Sequence, residues 1–173
     1  MWVRSASAWL ALLLVVATTW AKISTDFDHN VDFGNYKTYS WGKLETDNSF
    51  WDERVKSAID NQLAAKGWRL VASGGDVIVN AFGKTHSEHT IDTFYQGEAW
   101  LWRGFGNFAT STMTVDTYKV GTLVVDMFDP HTKNLIWRGV ASDTLFSNPE
   151  KNTRKLDGEV RKMLLHFPPN LSR

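Results

Sequence analysis

The chain has 173 residues, 43% hydrophobic and 22% charged, with 19 basic side chains against 19 acidic ones and no cysteine. That balance describes a globular protein, and net neutrality excludes a basic face built for nucleic acid. The lack of Cys removes disulfide frameworks, thiolate catalysis and Cys-rich zinc or iron–sulfur sites together.

Residues 1–21 read as a signal peptide. Arg4 supplies the positive start, Ala8 to Ala17 form the apolar stretch, and Thr19-Trp20-Ala21 places small residues at −3 and −1 of a cleavage point. Cleavage after Ala21 is the first choice and after Ala17 the second. The run is apolar all round rather than along one stripe, and it is shorter than the roughly 20 residues a spanning helix needs. No transmembrane span is therefore expected once the signal is removed. Residues 22–173 form a single domain in this reading, with six Trp, ten Phe and four Tyr as core material.

Along that domain, Ile23 to His29 is a short strand, and Tyr36-Lys-Thr-Tyr-Ser-Trp41 alternates aromatic with polar as a half-buried strand does, the two joined by a turn around Gly34. Asp47, Asn48 and Ser49 offer helix caps, and Trp51, Val55, Ala58, Ile59 and Leu63 follow helical spacing up to a stop at Gly67. Trp68–Val71 and Asp76–Phe82 are strands around the turn Ser73-Gly-Gly75. A loop rich in glycine and aromatics follows from Phe94 to Phe108. Thr110–Val115 and Tyr118–Phe128 read as two strands broken near Asp116. Asp129–Asn134 is a turn, and Leu135–Phe146 pairs back as a hairpin. Asn148-Pro149-Glu150 then opens a helix with the apolar face Leu156, Val160, Met163, Leu164 and Phe167. The predicted class is α+β, a mainly antiparallel sheet with two amphipathic helices packed on one face, in the order ββαββ-loop-βββα.

Several stretches in this order resemble a bacterial envelope family, domain of unknown function 4136: Asp26-Phe-Asp with Asp32 to Trp41, Ala58 to Gly67, Gly121 to Asp126, Asn134 to Ser142, and Phe167-Pro-Pro169. The likeness runs from about Asp26 to Pro169. It implies an exported, often lipid-anchored α+β domain with no assigned reaction and no catalytic residues. The lipobox cysteine of the family's lipoproteins is absent here, so the lipid anchor is not carried over.

Motifs with chemical potential mostly fail on context. Gly104-Phe-Gly-Asn-Phe-Ala109 satisfies G-x-G-x-x-A, but a strand former follows where a dinucleotide site needs a helix. His86-Ser-Glu-His89 has imidazole and carboxylate for a metal, yet on a strand 86 and 88 share a face while 89 points away. Ala72-Ser-Gly-Gly75 leads into a strand and not the helix of a nucleophile elbow. Asp126 and Asp129 fall in a strand and a turn, and the Lys/Arg excess on the last helix reads as a solvated face. Asp126 and Arg138, each the one charge inside an apolar strand core, are expected to pair across the last hairpin.

What remains is the segment 94–108, with candidate ligand-binding residues Tyr95, Trp100, Trp102, Arg103, Phe105 and Phe108. Flat rings separated by glycines suit stacking on an envelope protein, a glycan or a lipid headgroup; the plainer alternative is a lid whose rings fill the core. No metal, cofactor or nucleic acid is implied. The reading is an exported cell-envelope protein, periplasmic or outer-membrane-associated in a Gram-negative bacterium, acting as a non-catalytic binding or structural module. The alternative is an enzyme on an envelope polymer, using the same segment as platform and Glu98 or Asp126 as acid–base groups.

Overall fold

A computed structural model describes the backbone of residues 22–95 and 111–169, with side chains up to 88 and from 117 onward. The signal segment and most of the aromatic segment therefore lie outside the described residues.

Six strands form one sheet: β1 (Lys22–Phe27), β2 (Thr38–Glu45), β3 (Arg69–Leu70), β4 (Val77–Tyr95), β5 (Ser111–Phe128) and β6 (Leu135–Leu145), in the spatial order β1-β6-β5-β4-β2-β3. Two helices, α1 (Ser49–Ala65) and α2 (Pro149–Met163), pack on one face. The α+β class holds, with two corrections.

The sheet is mixed, because β2 runs parallel to both β3 and β4 while the remaining pairs are antiparallel. A strand, a helix and a further strand make a crossover, and a crossover returns the chain parallel to where it started. The first two strands are not neighbours: β1 sits on the far edge beside β6, and a 3₁₀ turn at Phe33–Asn35, capped by Asp32, carries the chain across to β2. The element order also differs. The break expected near Asp116 is absent, so Thr110–Val115 and Tyr118–Phe128 merge into the single strand β5.

The helices end where local chemistry dictates. Asn48 and Asn148 cap α1 and α2 by accepting from the backbone N–H of Trp51 and Lys151, and Gly67 closes the first at φ +80°. Val55, Ala58, Ile59 and Leu63 of α1 and Leu156, Val160 and Met163 of α2 meet Tyr39, Val79, Ala81, Val125, Met127 and Trp137 of the sheet. At one end Phe167 lies edge-on or tilted against Phe33, Trp68 and Trp137, with ring centroids 5.0–5.8 Å apart. Asp60 on α1 stitches helix to sheet, accepting from the Tyr39 hydroxyl at 2.7 Å and the Trp41 indole at 2.9 Å while pairing with Lys56. Burial, reinforced by that carboxylate, pushes the Tyr39 phenol well above its ordinary range.

Candidate functional site

β4 and β5 outrun the rest of the sheet. The last β2 partner of β4 is at Phe82 and the last β6 partner of β5 is at Lys119, yet β4 and β5 stay in register from Glu88–Tyr118 to Tyr95–Ser111. Those eight further pairs make a two-stranded ribbon reaching roughly 25 Å beyond its neighbours. At its root Glu88 accepts from the Tyr118 hydroxyl at 2.9 Å and lies 3.1 Å from His86 Nε2, and these partners lower the Glu88 carboxyl. This is the strand pairing of 86 with 88 that weakened the metal reading; among the described residues no group of three His, Asp or Glu is placed to hold an ion.

Tyr95 is the last residue of β4, opposite Ser111. Trp100, Trp102, Arg103, Phe105 and Phe108, together with Glu98, lie outside the described residues, so the ribbon fixes only where the ends of their segment stand.

Asp126 is committed elsewhere. It faces Arg138 directly across β5 and β6, and Arg138 Nε and Nη2 donate to its two carboxylate oxygens at 2.6 Å each. The expected pair is present, bidentate, with the Asp126 side chain 6% exposed and that of Arg138 48%. It sits in a polar row running from Asp26 on β1 through Arg138 and Asp126 to Asn80 on β4, on the face away from the helices. Asp129, the other half of the carboxylate pair considered above, belongs to its turn: it accepts from the His131 and Thr132 backbone and from the Tyr36 hydroxyl, and the His131 contact leads in lowering it.

The structure brings together a different cluster, which the sequence reading passed over. A cleft with a cavity volume of about 70 Å³ opens between the start of α1, the first turns of α2 and strands β4 to β6. Trp51, Val55, Leu123, Leu145 and Leu156 supply its apolar walls, and Asp143, Lys155 and Glu159 line it as well. The Lys155 ammonium donates to Asp143 at 2.8 Å and to the Thr144 carbonyl at 2.7 Å. Glu159, one turn beyond Lys155, is hydrogen-bonded to Asp143, and burial first, then that bond and the Asp143 charge, push its carboxyl up to about 7. Burial alone would raise Asp143 too, but Lys155 and the Glu159 bond outweigh it and hold Asp143 low. Below about pH 7 the carboxyl of Glu159 is neutral and can donate to the Asp143 carboxylate, which Lys155 neutralises. Lys155 and Glu159 correct the expectation of a wholly solvated face on the last helix. The signal that marks the cluster is phase: Trp137, Gly139, Ala141 and Asp143 occupy the same face of β6, the one covered by α2.

The family model described as a domain of unknown function, DUF4136, matches residues 23–169. The chain belongs to this family. No curated protein sequence matches this DUF4136 chain. Among solved structures, a PDZ domain protein from Parabacteroides distasonis is similar over 87% of this chain and 36% of its own, at 17% identity and a TM-score of 0.59. The DUF4136 chain therefore spans about a third of that protein's length. PelC from Paraburkholderia phytofirmans, solved as a dodecamer, is similar over 84% of this chain and 95% of its own, at 13% identity and a TM-score of 0.50. At these identities the likeness is one of fold.

Proposed function

We propose that this DUF4136 protein is an exported cell-envelope protein, periplasmic or held at the outer membrane of a Gram-negative bacterium. It acts there as a non-catalytic module that contacts an envelope protein, glycan or lipid headgroup through segment 94–108. The observation carrying this reading is the β4–β5 ribbon, which sends both ends of that segment well clear of the helix-covered body. An isolated two-stranded ribbon is marginally stable in water, so an arm of this length is favoured by something that engages it. Export draws support from the family match, which covers residues 23–169 and so begins just after the predicted cleavage point.

The enzymatic alternative loses ground on two counts. Asp126 is held by Arg138. The Asp143–Glu159 pair lies level with Gly121 and Thr85 in the sheet, ten residues and roughly 30 Å along β4 from Tyr95.

The test is capture from a native envelope fraction by the intact chain and by a variant in which 96–110 is replaced by Asn-Gly, the two-residue turn that closes a hairpin between paired Tyr95 and Ser111. The shortened chain should fold equally well and retain nothing. Equal retention by both chains would remove the segment from the function.

A further inference from the structure

We propose that the cleft between α2 and the sheet is a proton-controlled joint: a single proton shared by Asp143 and Glu159 keeps the first half of α2 seated on β6, and its loss lets that half lift and the cleft open. The joint belongs to the body of the domain and is independent of what the ribbon tip contacts.

The two halves of α2 are held differently. Its second half is fastened by Val160, Met163 and Leu164 in the core. Its first half places Leu156 in the core and is otherwise tied to the end of β6 by polar bonds, joined by Glu159 just past the helix midpoint. The Asn152 amide accepts from the Phe146 backbone N–H at 2.7 Å and donates to the Phe146 carbonyl at 2.8 Å, Lys155 reaches Thr144 and Asp143, and Glu159 reaches Asp143. These ties converge on one short stretch of strand beside an apolar cavity, where an unmatched charge has little water to turn to.

The charges facing the cleft set the direction. Asp143 comes from β6, Lys155 and Glu159 from α2 with Lys162 acting from further along, Lys84 from β4 and Asp47 from the loop before α1. The parts of α1 and β5 that line the cleft carry no charge. Lys84 and Asp47 oppose each other in sign, which leaves Lys155, among the described residues, as the one cation bonded to the pair. One cation matches one carboxylate. With the proton present the site is neutral and hydrogen-bonded throughout; without it two carboxylates abut against one ammonium.

Glu159 keeps its proton to about pH 7 when the cleft is closed, against 4.5 for an ordinary glutamate. A raised acid favours the state that holds the proton: closure is strongest below pH 4.5, weakens as pH rises toward 7, and is weakest above it.

The absence of cysteine makes the joint directly measurable. In the otherwise intact chain, Leu123→Cys places a thiol on the cleft wall at a position only 6% exposed. Its rate of maleimide labelling is compared with that of the same thiol in a Glu159→Gln background, where the amide donates to Asp143 at every pH, so the thiol's own ionisation cancels in the ratio. The ratio should rise roughly 30-fold between pH 5.5 and pH 8.5, reaching half its final value near pH 7 and levelling off above it. A ratio flat with pH overturns the joint. Should the core thiol prevent folding, amide hydrogen exchange over residues 150–158 in the natural chain and in Glu159→Gln asks the same question: exchange excess in the natural chain that grows above pH 7 supports it, and identical protection refutes it.

Discussion

Truncating either member of the Asp126–Arg138 pair should give unequal losses. Arg138→Ala strands a carboxylate whose side chain is 6% exposed, with Asp26 of β1 in register on the other side of position 138. Breaking a fully buried ion pair from one side costs roughly 3–5 kcal/mol. The Arg138 side chain is 48% exposed, so its removal admits water to Asp126, and the expected loss falls to about 2 kcal/mol. Asp126→Ala leaves a guanidinium that solvent already reaches and that Asp26 still neighbours; its loss should be about 1 kcal/mol. For a domain of this size the two correspond to about 6 °C and 3 °C in Tm. The double substitution should cost clearly less than the two single losses added, with about 1 kcal/mol of coupling. Urea unfolding of the four proteins, with m held equal, measures all three quantities. Equal losses, or strict additivity, would refute the assignment of the pair as a buried acceptor satisfied by a half-exposed donor.

Asp60→Ala should cost about 2–3 kcal/mol in the same assay, because it leaves the hydroxyl of Tyr39, a residue 1% exposed, without its acceptor and also unpairs the Trp41 indole; a loss under about 0.5 kcal/mol would mean that water replaces the carboxylate. Gly139→Ala should destabilise by about 1–3 kcal/mol, since a Cβ there runs into Met163 of α2 and the Trp137 ring across the core, and a neutral result would show that α2 can shift outward at its last turn. Trp100→Ala with Trp102→Ala should leave thermal unfolding nearly unchanged while abolishing envelope capture; a loss of about 3–5 kcal/mol for each would instead identify buried rings covering the sheet.

The helices were legible because their ends are chemical events. Asn48, Asn148-Pro149 and Gly67 act within a few residues of themselves, so nothing distant has to be known to place them. Strand partnership was not, since it is decided between segments far apart in the chain. β1 and β2, eleven residues apart in sequence, stand at opposite sides of the sheet, and the parallel register of Tyr39 with Val77 follows from the intervening α1. The length of β4 escaped for another reason. From Lys84 to Glu88 every residue is exposed, so the alternation that marks a half-buried strand fades although the backbone remains paired. Asp116 misled in the same way: it suggests a break, but a residue whose backbone pairs with Thr90 in a ribbon needs no apolar side chain to stay extended.

The Asp143–Lys155–Glu159 cluster illustrates how a site hides in a sequence whose elements are read one at a time. Lys155 and Glu159, four apart on a helix, look like a surface ion pair, and Asp143 looks like the polar end of a strand. Each becomes informative only against the other element. Asp143 is in phase with Trp137 and Ala141, so its side chain points under α2; Lys155 and Glu159 flank Leu156, whose burial fixes that flank toward the sheet. A charge in phase with a strand's covered face must find a partner on what covers it, because the alternative is a desolvated ion. Among the described residues Lys155 is the cation ion-paired to Asp143, and one bonded cation leaves the second carboxylate to be satisfied by a proton. Burial is the first cause of the raised Glu159 pKa and the abutting Asp143 carboxylate adds to it, so adding a second cation there, Leu145→Lys at the cleft wall, should pull the midpoint of the joint down from about 7 toward the ordinary glutamate value. If that variant labels at Leu123→Cys with an unmoved midpoint, the proton is held by burial alone and not by the shortage of positive charge.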